Sequence, residues 1–272
     1  MTSAPRHWFV TGGSGGLGRH LVREALDRGD YVTATARRPD ALPASPRLVV
    51  ERMDLTRPAE VAAVIDQTQR ARPVDVVVNN AGYAVVGAAE EMTPGEIRDQ
   101  IEVLLLAPML ITRAFLGPMR ERGGGRIIQI SSMGGQIGSP THSAYHAGKW
   151  GLEGYTESVS REVADFGIHL TVAQLGGTRT GFVSALRYTT ETEPYRDNPV
   201  GRTRRYLESL EDRDLPGDPA KIAALLYETT LQPNPPLRLS LGSDTYSAVH
   251  NALTERLNRL EAQQELAASV AF

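Results

Sequence analysis

Short apolar runs rich in β-branched residues alternate along the whole chain with longer stretches of helical spacing. Few folds tolerate such an alternation. Strands apolar on both faces must be covered on both, and a helix between successive strands makes the strands parallel. The runs are His7 to Thr11, Tyr31 to Ala36, Leu48 to Met53, Val74 to Asn79, Arg126 to Ser131, His169 to Gln174 and Leu237 to Leu241. Helical spacing occupies Gly16 to Arg28, Pro58 to Arg70, Pro94 to Arg122, Ala144 to Asp165 and Pro219 to Thr230, and three of these open on the proline that suits a first helical turn. The chain therefore reads as α/β, a doubly wound parallel sheet of about seven strands.

At 272 residues such a sheet fits one domain covering 1–272. With 41% hydrophobic and 22% charged residues the composition is that of a globular protein. A formal charge of −3 gives no field to attract nucleic acid or an anionic membrane, so neither is expected as a partner. The absence of cysteine excludes disulfides and thiolate metal sites, and no metal is expected. Met1 to His7 lacks the pattern of a secretory signal, and no run approaches the roughly 20 apolar residues of a membrane span, so a soluble, cytoplasmic protein is expected. Beyond Gly176 the sequence turns polar and irregular, with a short helix around Val200 to Leu210; residues 178–217 read as a substrate-binding lid. Asp244 to Ala268 reads as a charged amphipathic helix with Leu253, Leu257 and Leu260 on one face.

After the first strand come Thr11, Gly12, Gly13, Ser14, Gly15, Gly16, Leu17 and Gly18, leading into a helix. Glycine permits positive φ and lets backbone amides approach a pyrophosphate, while the helix start offers unpaired N–H groups and a favourable dipole. In this strand, turn and helix context the cluster predicts a Rossmann-type dinucleotide site. An NAD site usually carries a carboxylate near the end of the second strand, but this chain has Ala36, Arg37 and Arg38 there. Arginine can bind a 2′-phosphate through paired hydrogen bonds, which favours NADP (NADPH).

Tyr145 and Lys149 stand four residues apart, one turn along the same helix face. Lys149 is one of just two lysines among 29 basic residues, and an ammonium can exchange a proton where a guanidinium stays charged. A cation beside a phenol favours the phenolate. Ser132, at the end of the fifth run, is placed to hydrogen-bond a substrate oxygen.

Together these features resemble the short-chain dehydrogenase/reductase family: Thr11 to Gly18 is similar to its TGxxxGxG turn and Tyr145 to Lys149 to its YxxxK. Asn79, Asn80, Ala81 and Gly82 resemble the NNAG segment that lines the adenosine site. Asp54 and Leu55 fall where family members bind adenine. Gly176 to Thr180 resembles the turn, Thr178 and Thr180 included, that receives the nicotinamide amide. The resemblance implies an oxidoreductase in which Tyr145 is the general acid or base, Ser132 orients the substrate oxygen, and Lys149 binds the nicotinamide ribose and lowers the tyrosine pKa. It runs from about His7 to Thr180.

Two positions depart from the pattern. Leu104 stands where the family usually has an asparagine that holds a relay water, and leucine offers no hydrogen-bonding atom. Leu175 replaces a proline, which should loosen the backbone beside Gly176. The expected function is an NADP(H)-dependent ketoreductase or alcohol dehydrogenase acting on a medium-sized, largely apolar carbonyl or alcohol. A cyclase, lyase or isomerase using the cofactor structurally, and an NADP-sensing binding protein, stay open. Met133, Gln136, His142, Phe182, Val183, Leu186 and Tyr188 are expected near the pocket. A homodimer or homotetramer through the Pro94 to Arg122 and Ala144 to Asp165 helices is expected from the resemblance.

Overall fold

A computed structural model describes residues 4–38, 42 and 44–270; Met1 to Ser3 of the N-terminal segment lie outside the described residues. The chain runs β1 (His7–Thr11), α1 (Gly16–Asp27), β2 (Tyr31–Ala36), β3 (Leu48–Arg52), α2 (Pro58–Ala71), β4 (Val76–Asn79), β5 (Val85–Val86) and α3 (Pro94–Ile101). A π-turn, Glu102–Leu106, leads into α4 (Ala107–Glu121), followed by β6 (Gly125–Ser132), α5 (Ser143–Glu162), β7 (Ile168–Leu175), β8 (Arg187–Tyr188), α6 (Glu193–Arg196) and α7 (Pro199–Ser209). It closes with α8 (Pro219–Leu231), β9 (Arg238–Leu241), α9 (Ser243–Glu261) and α10 (Gln264–Ala268).

Seven strands form one sheet in the order β3-β2-β1-β4-β6-β7-β9, every pair parallel. Successive side chains point to opposite faces of a strand. Trp8 and Val10, Val76 and Val78, Ile128 and Ile130 therefore enter one core with Leu21 of α1 and Leu226 of α8. Phe9, Val77 and Ile127 enter the other, with Val64 of α2, Phe115 of α4 and Val159 of α5. The chain leaves β1 in one direction for β2 and returns to its other side as β4, so a crevice opens beyond the carboxyl ends of β1 and β4. Both halves of the site described below face that crevice.

Three sequence expectations need correction. The single helix expected from Pro94 to Arg122 is α3 and α4 joined by the π-turn, in which the Ala107 N–H donates to the Glu102 carbonyl five residues back. Pro108 explains it: having no N–H, it cannot serve the Leu104 carbonyl, and its ring crowds that oxygen, so the turn widens by one residue. The same stretch, Pro94–Glu121, is after all long and apolar enough to span a bilayer by length and composition; Ile111, Phe115 and Met119 instead pack it into the second core. Lastly, two short strands went unforeseen. β5 pairs with β8, tying the segment after β4 to the segment after β7.

Candidate active site

The glycine turn is built for close approach. Gly12 and Gly16 hold φ of +67° and +48°, where a side chain would be strained. A Cβ on Gly13 would stand 2.8 Å from that of Ala34, and one on Gly18 would run into the Gly12 carbonyl. Asn80 locks the turn: its side-chain amide donates to the Thr11 and Gly12 carbonyls (2.8 and 3.3 Å), while the Asn80 and Ala81 N–H groups donate to the Thr11 hydroxyl (2.9 and 3.1 Å). Gly15, the N-cap of α1, brings no capping side chain, and nothing lies within 4 Å of where its Cβ would be. An uncapped helix start with bare N–H groups beside an open glycine face fits a pyrophosphate.

The Ser14 carbonyl is held by the Arg19 guanidinium at 2.9 and 3.1 Å. Leu17 and Leu55 are buried in the two cores, so only their backbone groups can face a ligand. Arg37 and Arg38 are exposed just beyond β2, and neither makes a side-chain hydrogen bond or ion pair among the described residues. Asp54 accepts from the Thr56 N–H and hydroxyl (3.0 and 2.8 Å). The Thr56 N–H, with help from the Arg37 charge, holds its carboxyl below the usual range.

Across the crevice, β6 ends at Ser132, whose hydroxyl oxygen accepts the Gly134 N–H at 3.1 Å and starts the 3-10 turn Met133–Gly135. One helix, α5, carries both Tyr145 and Lys149. Lys149 is 5% exposed; its ammonium donates to the Ile130 carbonyl at 2.7 Å and lies 5.8 Å from the centre of the Tyr145 ring. Burial brings its pKa down to about 8, against a smaller upward pull from Glu153. The tyrosine corrects an expectation. Burial pushes the Tyr145 phenol up, and the nearby Ser132 hydroxyl, rather than the lysine, pulls it part of the way back. The Lys149 ammonium turns toward the Ile130 carbonyl, and desolvation of the phenolate outweighs the pull of Ser132.

Around the phenol, His142 and Phe182 stand edge-on at 5.9 and 6.1 Å between ring centres. His146 is structural: its Nε2 accepts the Ser139 N–H (3.0 Å), so Nδ1 carries the proton and donates to the Gly134 carbonyl (2.9 Å). Thr141, just before His142, is the one non-glycine residue with positive φ (+75°) among the described residues, and its hydroxyl bonds His142 Nδ1 at 2.8 Å. Gln136 is no pocket residue: its amide binds Glu153 and its carbonyl accepts from Arg256 of α9. Leu104 fills the slot between Gly82 and Gly148; Cβ atoms added there would stand 3.2 and 2.8 Å from it.

Leu175 does not loosen the backbone beside Gly176. It pairs with Ser132 on one side and Leu241 on the other, continuing the ladder that a proline would have interrupted. Beyond it, the Gly177 N–H donates to Asp244 (2.9 Å), and Thr178 bridges to Gly217, so the two ends of segment 178–217 meet. A Cβ on Gly176 would run into the Asp244 carboxylate. Thr180 lies against Gly16, 3.0 Å from the position of its absent Cβ. Segment 178–217 is pinned by Glu91, which accepts from the Thr189 hydroxyl (3.2 Å) and from the Thr192 N–H and hydroxyl (2.7 and 2.9 Å). Tyr188 lies in β8 with Arg204 over its ring. Leu186 and Val183 close a turn through their backbones at 3.2 Å.

A glycine turn, an NNAG corner and a Tyr-Lys helix facing one crevice match what the family profile described as short chain dehydrogenase recognises over residues 6–191. The chain belongs to the short-chain dehydrogenase family. An oxidoreductase of Botryotinia fuckeliana, BOA17, is 36% identical over 245 residues, covering 87% of this chain and 89% of that protein. A 3-ketodihydrosphingosine reductase of Bacteroides thetaiotaomicron is 31% identical over 244 residues, 88% of each. The solved structure of a short-chain dehydrogenase from Streptomyces avermitilis superposes with a TM-score of 0.92 at 36% identity, over 99% of this chain and 100% of that one. As in its relatives, the chemistry of this short-chain dehydrogenase is that of an oxidoreductase.

Proposed function

We propose that the protein is an NADP(H)-dependent reductase of medium-sized, largely apolar ketones. The observation that carries this is Tyr145: a half-buried phenol whose pKa desolvation raises, beside Ser132, edge-on to Phe182 and across the crevice from an open glycine turn. Gly12 to Gly18, Asp54, Asn80 to Gly82, Gly176, Thr178 and Thr180 would hold the nucleotide, and Arg37 and Arg38 its 2′-phosphate. When bound, NADPH supplies a hydride from C4 of the nicotinamide.

The chain's own groups do the rest. Ser132 donates a hydrogen bond to the carbonyl oxygen and fixes it against the phenol. Tyr145 would deliver its proton to that oxygen, giving the alcohol once the hydride has been supplied to the carbon. The buried ammonium of Lys149 offsets the negative charge left on the phenolate. Phe182, edge-on beside the ring, limits the approach of water that would compete for the proton. The name of the Bacteroides relative supports including long-chain ketones with a nearby hydroxyl in the substrate panel.

The test is NADPH consumption, followed by absorbance, with a graded set of aliphatic, aromatic and long-chain ketones. Turnover with at least one ketone in the wild type, lost in Tyr145→Phe while NADPH fluorescence titration is unchanged, is the expected result. Full turnover by Tyr145→Phe would remove the phenol from its role.

A further inference from the structure

One turn beyond Lys149 on α5, Glu153 is 2% exposed, on the inner side of the active-site helix. A carboxylate does not remain charged there without partners, and it has them from four elements. It accepts from the Ser131 hydroxyl of β6 (2.8 Å), the Gln136 amide after the 3-10 turn (2.5 Å), the Gln174 amide of β7 (3.0 and 3.1 Å) and Arg238 Nε of β9 (3.1 Å). Gly135 has no side chain because the carboxylate and the Ser131 hydroxyl occupy the place of its Cβ. Each anchored segment adjoins a working residue. Ser131 precedes Ser132, Gln136 closes the turn that Ser132 starts, and Gln174 leads to Leu175 and Gly176.

We propose that Glu153 is a positioning residue of the active site: its carboxylate fixes the serine strand end, the turn behind it and the approach to Gly176 onto the catalytic helix, one helical turn from Lys149, and shares its charge with Arg238. The assignment rests on reading Tyr145 and Lys149 as the chemical centre. The groups around the pair are few. Lys149 has Tyr145 and Glu153 one helical turn away on either side of α5, donates to the Ile130 carbonyl from β6, and lies 3.9 Å from where a Cβ on the uncharged Gly82 would stand. His142 and His146 flank Tyr145, and burial lowers the pKa of both imidazoles, leaving them neutral above pH 7. Arg238 divides its charge between Glu153 and Glu157 (2.8 Å), and Glu157 also meets Arg161 (2.7 Å). Arg256 reaches the Gln136 carbonyl from α9.

The sign follows from the charges. Glu153 raises the proton affinity of Lys149, so its removal lowers it; Arg238 neutralises part of that carboxylate, so its removal raises it. A purely structural contact would not split the two variants in opposite directions.

With two lysines in the chain, protein grown on lysine labelled with carbon-13 at Cε gives two resonances, Lys149 and Lys221, assigned by Lys149→Arg. Titrated by NMR, wild-type Lys149 is expected to turn over near pH 8. In Glu153→Gln the midpoint falls by roughly one pH unit and in Arg238→Gln it rises, while Lys221 stays in place. The alkaline limb of kcat for ketone reduction moves with it, and KM for the ketone does not. An unmoved Lys149 in Glu153→Gln, or shifts of the same sign in both variants, overturns the proposal. Should Glu153→Gln fail to fold, Arg238→Gln decides alone, since Arg238 lies on the half-exposed edge strand, 34% exposed. A wild type that reduces no ketone sinks the functional reading, whereas the NMR titration judges Glu153 independently of turnover.

Discussion

Replacing Lys149 by methionine is expected to abolish reduction and yet make the protein more stable at neutral pH. The side chain is 5% exposed, and its pKa is about 8 in place of the ordinary 10.5. Holding the ammonium at pH 7 in that site costs about 3 kcal/mol, at 1.36 kcal/mol for each pH unit. Methionine removes this cost and fills similar volume, but it leaves the Ile130 carbonyl without its 2.7 Å partner, a loss of about 1–2 kcal/mol. The net gain is about 1–2 kcal/mol, or roughly 4 °C in Tm for a chain of this length. The pH dependence carries the sharper signature. A lysine pKa lowered by folding means that the native state sheds its proton first, so wild-type stability rises as pH climbs from about 8 toward 10.5. The advantage of the variant should therefore shrink across that window and reverse above it. Thermal melts of both proteins at pH 7, 8.5 and 10, without added nucleotide, measure this; a variant less stable at pH 7, or an advantage that does not change with pH, refutes the reasoning.

Three further outcomes are expected. Arg37→Ala should weaken NADPH about tenfold or more while changing NADH less than twofold, measured by fluorescence titration, since a charge-assisted contact to the 2′-phosphate contributes about 1.5–3 kcal/mol; equal losses would remove Arg37 from that role. Gly18→Ala should abolish binding of both nucleotides with little loss of helix content by circular dichroism, because its methyl meets the Gly12 carbonyl inside the turn; retained binding would mean that the turn yields. Glu91→Ala frees Thr189 and Thr192, so proteolysis within 178–217 should quicken and KM for the ketone rise severalfold, with Tm changing by no more than a few degrees; unchanged cleavage would show that β5 and β8 hold that segment unaided.

The sheet was legible because its strands are buried on both faces: β1 and β2 fall on the residues expected, and the other main strands within two. The glycine turn was equally readable, since positive φ and close approach leave glycine little competition at Gly12 and Gly18. The π-turn was missed although Pro108 announces it, because an apolar periodicity continuing on both sides hides a missing N–H. The direction of the Tyr145 pKa is not legible for a different reason: spacing puts a lysine beside a phenol but does not say that the ammonium turns to the Ile130 carbonyl, or how far the phenol is desolvated. Glu153 sits at helical spacing from Lys149 and was open to notice. Its partner Arg238 lies 85 residues away, joined only by the β7–β9 pairing. Glu91 left no such trace, for its partners lie in an irregular segment whose path is set by tertiary contacts.

The account turns on hydride leaving the nicotinamide for a substrate carbon while Tyr145 supplies the proton. NADPH deuterated at the transferred position of C4, incubated with a ketone turned over by the wild type, should place one deuterium on the new carbinol carbon, read by mass spectrometry, and none when Tyr145→Phe is used. Substrate converted without deuterium in the product and without loss of NADPH would contradict it and point to a cyclase, lyase or isomerase.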